Sequence, residues 1–152
     1  MKKQQFRAQT MVEFALIFPI AIFLILGFFD LGRAVFNFAA LSNAVREGTR
    51  YAIANNDAVN SAAMAAGYPA LKQKVYDYSF AIPPADIAVT VNITMQLDPW
   101  GNVSQTRDKI SITATYTFVP VTPGIKQILG DGNGIPITAQ STMRLEPISR
   151  DD

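Results

Sequence analysis

Phe14-Ala15-Leu16-Ile17-Phe18-Pro19-Ile20-Ala21-Ile22-Phe23-Leu24-Ile25-Leu26-Gly27-Phe28-Phe29 runs for sixteen residues without a charge and almost without a hydrogen-bonding side chain. As a helix it rises about 24 Å, against a bilayer hydrocarbon core of roughly 30 Å. It therefore spans only if its flanks are tolerated at the membrane boundary. Glu13 stands before it and Asp30 after it, while Leu31, Ala34 and Val35 extend the apolar surface, which puts the span at about residues 14–35. Lys2, Lys3 and Arg7 precede the run, so the positive-inside rule predicts a cytoplasmic N-terminus, with everything beyond about residue 35 outside. A cleavable secretory signal has the same outline, and Phe38-Ala39-Ala40 offers small residues for a cut. On that alternative residues 1–40 are a signal peptide and the remainder is a secreted, β-rich binding protein. Against it, the pattern does not stop where a signal would be cut. Positions 31, 34, 35, 38, 41, 45, 49 and 52 form a helical stripe that leads straight out of the membrane. A buried core helix would need a larger domain around it.

The 152 residues suffice for one small domain plus a tether, and the 49% hydrophobic content is concentrated in the run just quoted. Lys plus Arg number 13 against 12 for Asp plus Glu, so no basic field points to nucleic acid. The chain has no His and no Cys. That excludes disulfide staples, zinc sites of the usual kind, thiol nucleophiles and imidazole acid–base chemistry.

Beyond the span, one helical rod is predicted from about Gln9 to Ala54, closed by Asn55-Asn56-Asp57. Asp57 is placed to cap a short second helix through Ala66, and Gly67-Tyr68-Pro69 breaks it. Pro69 suits the first position of a third helix, Ala70 to about Phe80, and Pro83-Pro84 leads into a β region. Ile87, Val89, Val91, Ile93, Met95 and Leu97 alternate with polar or small residues as a strand with one buried face. Asp98-Pro99-Trp100-Gly101-Asn102 is a turn, and Ile110 to Phe118 and Ile135 to Leu145 repeat the alternation. Pro120-Val121-Thr122-Pro123-Gly124 and a short helical patch from Ile125 to Leu129 connect these last two strands. Three strands with one apolar face need a cover, and the outer half of the long helix, Phe38 to Ile53, is the available one.

Several polar groups stand out by spacing. Asp30 and Arg33 lie three apart on one helical face, as an ion pair closing the span or as a contact between subunits. Arg46, Glu47 and Arg50 cluster where the helix meets the sheet; Glu47 reaches Arg50, and Gly48 permits close approach by another backbone. Asp131-Gly132-Asn133-Gly134 invites a calcium reading but lacks the EF-hand glycine and has Thr142 where the bidentate Glu belongs, which leaves a turn. Asn92-Ile93-Thr94 and Asn102-Val103-Ser104 fit the glycosylation triplet, which is common by chance. No phosphate-binding loop, catalytic triad or hydrolytic carboxylate pair is present in the sequence.

Arg7-Ala8-Gln9-Thr10-Met11-Val12-Glu13-Phe14-Ala15-Leu16, then Pro19, then Gly27 through Gly32-Arg33, resembles the TadE-like pseudopilins of tight-adherence (Tad, Flp) pili. The likeness continues in Leu41-Ser42-Asn43-Ala44-Val45-Arg46-Glu47-Gly48-Thr49-Arg50-Tyr51-Ala52. It returns in Tyr116-Thr117-Phe118 with Pro120 and Thr122-Pro123, and in Met143-Arg144-Leu145-Glu146.

The resemblance implies a pilin-like α+β fold: a long N-terminal helix, half in the membrane, packed on a small three-stranded antiparallel sheet. It divides the chain into a cytoplasmic leader (1–8), the helix (9–54) and an extracytoplasmic α+β domain (55–152). It implies a prepilin peptidase cutting between Ala8 and Gln9, with Ala8 standing where Gly is usual. It gives Glu13 the task of pairing with a neighbour's new N-terminal amine to set axial register. On residue type alone, Glu13 could instead rest at the headgroup level near the helix N-terminus. The function so implied is that of a minor pilin or pseudopilin, single-pass in the inner (cytoplasmic) membrane and assisting assembly of an adhesion pilus or a related secretion apparatus. Its partners would be membrane lipid, other pilin subunits, the pilus assembly platform and the peptidase. No catalysis, cofactor, metal, nucleic acid or small-molecule substrate is expected.

Overall fold

The computed structural model describes residues 3–55, 58, 59, 61–80, 82–94, 109–125, 127 and 132–145, with the side chains of 3–8 and 61 outside the description. The described elements are α1 (Lys3–Ala54), α2 (Ser61–Ala65), α3 (Pro69–Tyr78), β1 (Ile87–Thr94), β2 (Lys109–Phe118) and β3 (Ile135–Arg144). The expected cap at Asp57, the turn at 98–102, the strand ends at Met95 and Leu97, the patch end at Leu129 and the start of the turn at Asp131 lie outside the described residues.

α1 is a single helix of 52 residues with Pro19 inside it. Pro19 removes the N–H that would bond the Ala15 carbonyl, a loss helices tolerate where the surrounding chain is long and strongly helical. The helix ends where the Asn55 backbone N–H and side-chain amide both donate to the Tyr51 carbonyl at 3.0 Å. α2 closes in a Schellman arrangement: Gly67 N–H donates to Met64 O at 3.0 Å and Tyr68 N–H to Ala63 O at 2.8 Å. Gly67 supplies the left-handed residue this needs, at φ 74°, but Tyr68 is left-handed too, at φ 59°. The cost of that conformation for Tyr68 is offset by burial of its ring in the core.

The sheet is an antiparallel meander in the order β1-β2-β3. Its register aligns Val91, Ile112 and Ser141 in one row and Val89, Ala114 and Ala139 in the next. Since side chains alternate across a strand, these rows share one face. The opposite face carries Thr115 hydrogen-bonded to Thr138 at 3.1 Å and Gln140 donating to Ser111 at 2.7 Å. One face is thus apolar and the other hydroxyl-rich, as the alternation predicts.

The cover over the apolar face differs from expectation in two respects. α1 lies over β2 and β3, but α3 packs on α1 and reaches β1, so two helices share the task. Leu71 and Val75 of α3 are fully buried beside Leu41, Ala44 and Val45 of α1. The stripe of α1 faces inward at Leu41, Val45, Thr49 and Ala52 as expected, but not at Phe38. Leu31, Val35 and Phe38 are 61%, 60% and 50% exposed, whereas Asp30, Asn37, Ala40, Leu41, Ala44, Val45, Thr49 and Ala52 are buried. The outer half of α1 is apolar on more than one side, so periodicity alone does not say which side meets the sheet. The small residues decide it, because Ala and Gly let a helix approach a neighbour closely. A Cβ at Gly48 would sit 2.8 Å from Val75 Cγ2 and 3.3 Å from Ile112 Cδ1, marking where α1, α3 and β2 converge. The Thr49 hydroxyl buried in this region is satisfied within the helix, donating to Val45 O at 2.6 Å.

Candidate functional site

The first half of α1 has little tertiary cover among the described residues: no residue of its most apolar window is buried, and the loop after β2 lies alongside it at Pro123. The segment Gln9–Ala54 is long and apolar enough to cross a membrane. Phe14 and Phe18, one turn apart, stack with ring centroids 5.3 Å from each other. Glu13 is exposed and accepts a hydrogen bond from the Gln9 side-chain amide at 3.3 Å. Ala8 lies within the described helix backbone, with its side chain outside the description. A carboxylate so weakly partnered at the mouth of an apolar helix is costly to immerse in hydrocarbon.

Asp30, at the other end of the run, is held quite differently. Its carboxylate accepts hydrogen bonds from Val121 N–H at 2.9 Å, Thr122 N–H at 2.7 Å and the Thr122 hydroxyl at 2.6 Å. Arg33 adds a fourth donor at 3.2 Å. Asp30 is 5% exposed. Arg33 in turn lies over the Phe118 ring, 5.2 Å from its centroid. The loop after β2 is therefore fastened to the helix where the apolar run ends. The pair at spacing three was readable in the sequence; Val121 and Thr122, 91 and 92 residues further along, were not. The available signal was the acid itself, since a carboxylate ending an apolar run demands more donors than one arginine supplies.

Further out, Arg50 donates to Glu47 at 3.1 Å, with both side chains well exposed, and Arg46 is exposed on the same turn. Such surface pairs contribute about 0–1 kcal/mol. Gly48 faces the opposite way, into the core. The four residues thus do not form one site: three look outward and one looks in. Among the described residues no group of three or more acidic side chains is gathered where it could hold a metal.

A helix largely uncovered at its N-terminal half that serves as a core layer at its C-terminal half, over a three-stranded antiparallel sheet, is an α+β arrangement with a membrane-spanning candidate at one end. Residues 8–50 match the family model described as TadE-like protein, so over that stretch the chain is similar to that family. The match covers the bare helix and most of the core-facing helix, and stops before the strands, whose likeness to the family it does not include. No curated protein and no solved structure matches the chain.

Proposed function

We propose that this chain is a minor pilin or pseudopilin that assists assembly of a tight-adherence pilus, or of a related secretion apparatus, by helix packing and not by chemistry. One observation carries the reading. The apolar face of α1 continues beyond the run, through the exposed Leu24, Phe28, Leu31, Val35 and Phe38, onto the part of the helix that already has a sheet on its other side. A domain that needed this face for its own core would have covered it; left bare, it suits lipid on the membrane side and neighbouring subunits beyond. The unbroken passage of α1 through Phe38-Ala39-Ala40, and the fastening of Asp30 to the sheet domain, favour a retained anchor over a cleaved signal.

On this reading the leader 1–8 faces the cytoplasm and is cut between Ala8 and Gln9 by a prepilin peptidase. The domain lies on the far side of the inner membrane, and Glu13 pairs with the N-terminal amine of a neighbour. The test is Glu13→Gln in the full chain. It should leave the outer domain resistant to protease and the protein in the membrane, while capture of pilus subunits falls at least several-fold. Equal capture by the variant returns Glu13 to the headgroup level. Intact-mass analysis should show loss of residues 1–8; a mature start near Ser42 would sink the anchored reading.

A further inference from the structure

We propose that the loop after β2, residues 119–125, is a second membrane contact: fastened to Asp30, it sits in the lipid leaflet on the domain side of the bilayer. The inference rests on α1 being the span. The run from Phe14 to Phe29 falls short of the hydrocarbon thickness by about four residues of helix. The deficit can be met at either end. Extending toward the N-terminus immerses Glu13, whose carboxylate has Gln9 as its described donor. Extending toward the C-terminus immerses Asp30, which already has four donors, and carries Thr122 and its neighbours in with it. Lipid penalises unsatisfied polar groups, so the second route is the less costly.

The loop is built for that position. Phe118-Val119-Pro120-Val121-Thr122-Pro123-Gly124-Ile125 has no charge, and its one polar side chain, Thr122, is buried against Asp30. Pro120 and Pro123 have no N–H to satisfy. The N–H groups of Val121 and Thr122 go to Asp30, and that of Ile125 to Thr122 O at 3.4 Å. Irregular backbone is kept out of the hydrocarbon core unless protein covers it, so these satisfied donors suit the interfacial level of the leaflet, beside the span. Meanwhile Val119 and Val121 are 51% and 66% exposed, facing away from the protein. Pro123 borders a groove with Phe18, Ile22, Phe23 and Leu26, so the loop tip lies alongside the span at least one turn below Asp30. Arg33, paired with Asp30 at 3.2 Å and lying over Phe118, is still half exposed, on the side where headgroups would lie.

The chain has no cysteine, which makes the test direct. Single variants Val121→Cys, Leu24→Cys and Thr138→Cys of the full chain are labelled with an environment-sensitive fluorophore. They are reconstituted into phosphatidylcholine–phosphatidylglycerol vesicles containing nitroxide-labelled lipid. Labels at 121 and 24 should be blue-shifted and quenched at least two-fold, and the label at 138, on the hydroxyl-rich sheet face, should be neither. Quenching at 24 with none at 121 overturns the loop contact and leaves the anchor standing. No quenching at 24 overturns both. Shielding at 121 that depends on protein-to-lipid ratio and not on nitroxide lipid would mean that a second copy covers the loop, which also overturns it. Adding Asp30→Asn should reduce quenching at 121 and leave that at 24 unchanged; undiminished quenching at 121 would refute the fastening.

Discussion

α1 before Asp30 and α1 after Asp30 are one continuous helix, yet they are stabilised by different surroundings. Before Asp30 no described residue is buried, and large side chains such as Phe14, Leu16, Phe23 and Phe28 stand exposed. After it, one side is buried against β2, β3 and α3, and that side is made of small residues with Leu41 and Val45 among them. Large apolar side chains all round suit a fluid solvent of lipid, which adapts to any shape. A rigid sheet does not adapt, so the helix facing it must be narrow where the sheet comes close. Side-chain size, more than hydrophobicity, separates the two halves.

The comparison is broken most severely by a charge in the covered half. Ile112→Asp places a carboxylate in a fully buried site between α1 and α3, where losing the aliphatic contact alone costs about 1.5–3 kcal/mol and the buried charge adds several more. Against the 5–15 kcal/mol typical of a whole domain, that should unfold the outer part. Limited proteolysis of membrane vesicles should then digest the sheet while a protected fragment containing α1 before Asp30 survives. Leu24→Ala, in the bare half, should leave the protease pattern of the domain as it was. Digestion of the domain by both variants would show that the halves are not independent.

A subtler break is Gly48→Val. The added side chain meets Val75 at contact distances too short to accept, and overpacking of this kind costs about 1–3 kcal/mol. Thermal unfolding of the detergent-solubilised protein should drop by several degrees, and a paired Val75→Ala should restore part of the loss. No drop would mean that α1 and α3 separate easily, and the covered half would then be looser than its small residues imply.

The smallest expected effect is a pH dependence confined to the covered half. Burial raises the Tyr68 phenol above its ordinary value of 10.0, because the phenolate is poorly solvated in the core. The unfolded chain therefore ionises first. Stability should be intact below about pH 10 and fall as pH rises from there through the higher folded value. Tyr68→Phe should flatten that part of a melting profile measured between pH 8 and 11. An unchanged slope would assign the alkaline loss to other groups.

Much of this architecture was legible one residue at a time. The apolar run, the three alternating strands and the break at Gly67-Tyr68-Pro69 are local patterns: their periods are properties of helix and strand geometry, and they reappear with boundaries shifted by a residue or two. The spacing of Asp30 with Arg33 and of Glu47 with Arg50 is local in the same sense. The inward face of α1 was misread at Phe38, the expected start of the cover, because an apolar residue announces only that it avoids water. Lipid, sheet and neighbouring subunit all satisfy that requirement equally.

By itself the sequence determined that a helix of membrane-spanning character leads into a small α+β domain, since hydrogen-bond periodicity and the absence of charge in the run leave little else. Three things only the tertiary structure decided. α3 joins α1 as the cover of the sheet; the small-residue side of α1, centred on Gly48, is the side that packs; and Asp30 takes its donors from Val121 and Thr122. Each depends on groups brought together from distant parts of the chain. Shape complementarity and satisfied hydrogen bonds are properties of such meetings, and no window of sequence contains them.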